Sequence, residues 1–87
     1  MNPYTETQID ENIYVRTFSA DTLETDLIWH LDAEDRIIEA THITDWQFQF
    51  DDELPQSLEP KKVIQIPKGV IHRIIKGTTP LSVTIKS

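Results

Sequence analysis

Val63-Ile64-Gln65-Ile66-Pro67-Lys68-Gly69-Val70-Ile71-His72 reads as a short apolar strand, a tight turn and the start of a second strand. Pro67 cannot continue a hydrogen-bonded ladder, and Gly69 permits a backbone conformation that other residues resist, so the chain reverses here. The turn delivers one histidine, His72, onto the strand that follows. Similar alternation of period two recurs along the chain, and no window sustains the three-and-four spacing of an amphipathic helix.

Working outward, the alternation predicts strands over Ile13 to Phe18, Thr25 to Leu31, Arg36 to Ile43, Trp46 to Phe50, Val63 to Ile66, Val70 to Ile75 and Leu81 to Ile85. Turn residues separate them, among them Asp32-Ala33-Glu34-Asp35, Asp51-Asp52-Glu53-Leu54-Pro55 and Gly77-Thr78-Thr79-Pro80. Short strands at this spacing build an all-β sandwich or barrel. With 87 residues there is room for one core and no second domain. We divide the chain into an N-terminal arm or edge strand over 1–12, polar and acidic and expected to dock on a partner, and a folded domain over 13–87.

Within this frame His30 and Asp32 fall on one face of a strand, because side chains two apart point the same way. If the strand bearing His72 lies beside them, two imidazoles and a carboxylate meet, a donor set that suits a divalent ion such as Fe, Mn, Ni or Zn. The same residues also fit a histidine bonded to a neighbouring aspartate with no ion present.

The Pro-x-Gly-x-x-His pattern of residues 67 to 72 resembles the second motif of the cupin superfamily, and Trp29-His30-Leu31-Asp32 sits where that family's first motif falls. The stretch Trp29 to Arg36 is similar to minimal single-domain cupins of unassigned function. The resemblance spans about residues 25 to 76. It implies a small cupin-type jelly roll, a double-stranded β-helix barrel, binding a small molecule. It carries His30 and His72 over as metal ligands, with Asp32 standing where the family has a second histidine. Arg36 occupies the position of the usual glutamate ligand. A guanidinium cannot ligate a metal, so Arg36 opens a second reading in which the pocket takes a carboxylate or phosphate without metal. Asp35 is near enough to offer an oxygen or to pair with Arg36. Lys76 is expected to face inward with Arg36, and Trp46 and Phe48 to supply an apolar wall in that reading, although core packing in a half-buried strand is the stronger account of those aromatics. A third reading is structural, a filled barrel whose outer sheet serves homodimerisation or docking on a host protein. Trp29, pointing away from His30, is expected at that interface, and His42 is expected in solvent.

Charge and composition exclude other classes. Net charge is −7, divided into −12 over residues 1–55 and +5 over 56–87, and no basic cluster is interleaved with aromatics, which disfavours nucleic acid. No apolar run exceeds three residues, so no membrane segment or signal peptide is expected, and a cytoplasmic location follows. The absence of cysteine removes disulfides and thiolate chemistry.

Overall fold

A computed structural model describes residues 3–87. Met1 and Asn2, the start of the expected arm, lie outside the described residues. Eight strands form: β1 (Tyr4–Asp10), β2 (Ile13–Phe18), β3 (Arg36–Ala40), β4 (Gln47–Phe50), β5 (Gln56–Ser57), β6 (Ile64–Ile66), β7 (His72–Ile75) and β8 (Leu81–Lys86). A five-stranded sheet runs β1-β2-β8-β3-β6, and a three-stranded sheet runs β5-β4-β7, with all pairs antiparallel. The sheets face each other as a jelly roll and do not close into one continuous barrel.

Alternation decides what lies between them. On the larger sheet Phe18, Ile38, Ala40, Ile64, Ile66, Leu81, Val83 and Ile85 are buried, and Phe48 on the smaller one and Trp46 just before it answer from the other side. Each large side chain so buried contributes about 1.5–3 kcal/mol. The register fixes these faces: Phe18 lies opposite Leu81, Ile38 opposite Ile85, and Arg36 opposite Ile66. Arg36 therefore starts β3 on the inner face.

Several expectations need correction. Thr25 to Leu31 is not a strand: Glu24–Asp26 forms one turn of 3-10 helix, and only His30 pairs, through a single bridge to His72. Leu23, Ile28 and Leu31 are exposed there and only Leu27 packs against the core, so the stretch lacks the alternating apolar face of a strand. Of the two forms expected for the polar N-terminal stretch, arm or edge strand, the structure has the edge strand, β1, paired with β2 of the same chain through a hairpin with an irregularity between Gln8 and Asp10. Trp46 and Val63 fall just outside the strands expected to begin with them.

Candidate metal centre and cavity

The turn quoted first sets the site. Gly69 has φ +77°, and a Cβ there would meet nothing within 4 Å, so glycine is required by the dihedral and not by space. Val70 N–H donates to the Pro67 carbonyl at 3.2 Å, closing a turn whose third residue needs positive φ. Two contacts then align the segment around residue 30 with this turn. Gly69 N–H donates to the Asp32 carbonyl at 2.9 Å, and His30 and His72 exchange both backbone hydrogen bonds at 3.0 and 2.9 Å. Such a reciprocal pair puts its two side chains on the same side. The imidazole centroids are 4.3 Å apart.

Hydrogen bonding fixes which ring nitrogen carries the proton. His30 Nδ1 lies 3.0 Å from the Ile28 carbonyl and His72 Nδ1 lies 2.8 Å from the Val70 carbonyl. A carbonyl oxygen only accepts, so both Nδ1 atoms are N–H donors, and in the neutral rings both Nε2 atoms present lone pairs. Those lone pairs converge on Asp32: His72 Nε2 is 3.3 Å from Oδ2, and His30 Nε2 is 4.0 Å from Oδ1. One donor atom from each of the three residues lies within 4.8 Å of the others. Burial pushes His72 below the ordinary imidazole pKa; its hydrogen bond to Val70 opposes this and His30 reinforces it. Phe48 stacks against the His72 ring at 5.6 Å and holds it in place.

Behind the site a cavity of about 440 Å³ opens between the sheets. Its walls include Ile38, Phe48, Ile66, Ile74, Val83 and Ile85, and its charged lining residues are Arg16, Asp26, Asp32 and Arg36. Arg36 Nη1 is 3.6 Å from Asp32 Oδ1, and its Nε is buried with no hydrogen-bond partner among the described residues.

Three residues expected at this pocket lie elsewhere. Asp35 is exposed and accepts from Lys68 N–H at 2.8 Å, bracing the Gly69 turn and leaving Arg36 to Asp32. Lys76 follows the end of β7, so the alternation that would aim it inward has stopped; it borders a surface recess with Glu24, Asp45 and Thr78. Trp46 is wholly buried in the core, its indole N–H donating to the Thr79 carbonyl. Trp29 is partly exposed under the Arg73 guanidinium, and His42 is exposed. Sequence reasoning missed Arg16, held by Glu6 at 2.6 Å and stacked on Tyr4. The signal was there in Tyr14, Arg16 and Phe18, which alternate onto the inner face of β2.

With this geometry in hand, solved structures show what the fold resembles. A cupin-2 domain protein from Shewanella frigidimarina superposes with a TM-score of 0.70 at 20% identity, covering 95% of this chain and 78% of that one. A cupin domain from Bordetella pertussis gives 0.62 at 18% identity, covering 95% and 88%. An RmlC-like cupin with a double-stranded β-helix fold from Methanocaldococcus jannaschii gives 0.65 at 10% identity, covering 100% and 82%. No family model matches the sequence, and no curated protein matches it. The chain has the cupin fold, in a small open form. Among the described residues no helix is long and apolar enough to cross a membrane.

Proposed function

We propose that this protein is a small cupin that binds one divalent cation on His30 Nε2, His72 Nε2 and the Asp32 carboxylate, and receives a small molecule in the adjoining cavity. The observation that carries this is the pair of Nδ1–H bonds to the Ile28 and Val70 carbonyls. They turn the two Nε2 lone pairs of the neutral rings toward the Asp32 carboxylate, and three acceptors this close repel unless a cation lies between them. Backbone anchoring of the second ring nitrogen is also how metal-ligating histidines are oriented. The donor set suits Fe, Mn, Ni or Zn. When bound, such an ion supplies Lewis acidity and open positions for an oxygen donor. The residues of the chain orient the site, exclude water on the Phe48 side and present Arg36 beside it.

The test is elemental mass spectrometry on untagged protein, repeated on His30→Ala and His72→Ala with circular dichroism as a folding control. Near-stoichiometric metal, lost by both folded variants, is expected. Absence of metal after incubation with Fe(II), Mn(II), Ni(II) and Zn(II) overturns the reading. A metal-free anion site at Arg36 is the second reading, favoured by the unpartnered Nε.

A further inference from the structure

We infer that the ligand of this cavity is an amphipathic carboxylate, its head group on Arg36 and its apolar body between the sheets. The inference deepens the small-molecule reading above and rests on it.

Arg36 is poorly satisfied by the protein. Its contact with Asp32 is one Nη1 to one oxygen at 3.6 Å, beyond hydrogen-bond length, and not the two-pronged pair a guanidinium makes when it is structurally committed. The buried Nε has no partner among the described residues, so a donor is held out of water with nothing accepting from it. By contrast the other cavity arginine is already committed: Arg16 donates Nε to Glu6 at 2.6 Å and lies over Tyr4. Arg73, outside the cavity, gives two bonds to Gln49. Arg36 is thus the cavity cation whose guanidinium, on a side chain 27% exposed, has no acceptor within hydrogen-bond length among the described residues.

The walls set the rest of the ligand. Ile38, Ile66, Ile74, Val83, Ile85 and Phe48 fit an aliphatic or aromatic body, and beyond the proposed centre and Arg36 the polar lining is Tyr4, Arg16 and Asp26. Entry lies past Ile28 and His30, lining residues that are themselves exposed. Charge sets the coupling. Asp32 and Arg36 cancel, Arg16 is paired with Glu6, and Asp26 remains, so a divalent ion on the proposed centre leaves an excess of one positive charge beside the cavity. An anionic head group relieves this, and it reaches the ion and Arg36 from the same side. Metal and carboxylate must then strengthen each other's binding, by equal factors.

The experiment titrates the intact protein with octanoate, octanamide and acetate, with and without added Zn(II), by calorimetry and by methyl chemical shifts of Ile38, Val83 and Ile85. Octanoate should bind and move those methyls, whereas octanamide, lacking charge, and acetate, lacking a body, should bind at least tenfold more weakly. Arg36→Met should weaken octanoate by on the order of tenfold to a hundredfold, as loss of a charged hydrogen bond implies, and Arg36→Lys should recover part of it. The lysine variant and circular dichroism guard against misfolding. Octanamide binding as well as octanoate, or octanoate binding unchanged in a folded Arg36→Met, overturns the inference. Zn(II) binding without octanoate binding overturns it too while leaving the metal centre intact. Octanoate binding through Arg36 with no metal uptake upholds the head-group assignment and overturns the metal centre.

Discussion

Asp32→Asn separates a metal centre from a structural ion pair. Asp32 has a side chain 9% exposed, and His72 one only 4% exposed, so surface values do not apply. If a protonated His72 and Asp32 formed a buried ion pair that held the fold, removing the charge would cost about 3–5 kcal/mol. Burial instead pushes His72 toward its neutral form, so the metal-free site sets the Asp32 carboxylate against the His72 lone pair. In the variant the amide N–H can donate to His72 Nε2, across the 3.3 Å now separating it from Oδ2, which contributes about 0.5–1.5 kcal/mol. Against this stands the loss of the weak 3.6 Å contact with Arg36, about 0–1 kcal/mol. The metal-free variant should therefore match the metal-free native protein to within about 1 kcal/mol. Metal should change the outcome. At about a hundredfold excess over Kd an ion stabilises the native protein by about 2.7 kcal/mol, and at about 4–8 °C per kcal/mol this raises Tm by roughly 11–22 °C. The variant should show no such rise. Thermal melts of chelated and metal-loaded samples decide it. A chelated variant weaker by about 3 kcal/mol, or one that keeps the metal-induced rise, would refute the reasoning.

Two other outcomes follow from the loop beside the core. A Cβ at Gly77 would lie 2.6 Å from Trp46 Cδ1 and 2.8 Å from Trp46 N, both in a fully buried residue, so Gly77→Ala should cost about 1–3 kcal/mol and lower Tm by roughly 4–24 °C. An unchanged Tm would show that the loop yields freely. Thr78 donates its hydroxyl and its backbone N–H to Asp45, which holds that carboxyl below its ordinary value of 3.8. The stabilisation is complete above that value and drains away as pH falls through the lower folded pKa. Denaturation of native protein and Asp45→Asn, compared from neutral pH to about pH 2, should show a gap that closes in acid; a constant gap would assign it to something other than this ionisation.

What the sequence disclosed is what local chemistry controls. The Pro67 to His72 turn was legible because a proline and a glycine leave few backbones open, and the core of β2, β4 and β8 because alternation of period two has one solution. His30 and Asp32 were legible as neighbours, although the strand expected to hold them is a single bridge. The rest depended on where elements stop. Lys76 escapes the cavity because β7 ends at Ile75, a boundary set by tertiary packing and invisible in the alternation of His72, Ile74 and Lys76. Asp35 and Arg36 looked like a pair because they adjoin in sequence, but Asp35 is taken by the Lys68 amide. Whether residues 1–12 formed an arm or an edge strand stayed open because an edge strand with one paired neighbour can be as polar as Thr5-Glu6-Thr7-Gln8.

The bridge between His30 and His72 joins positions 42 apart in the chain, and the first of them belongs to neither sheet. A cation gripped by both imidazoles would act as a cross-link, closing a long loop and lowering the entropy of the unfolded chain as a disulfide does. In a domain of 87 residues without cysteine, that is the cross-link the clustered His and Asp side chains among the described residues can supply. Its strength would then follow the supply of metal ions, making the lifetime of the folded molecule a readout of that supply.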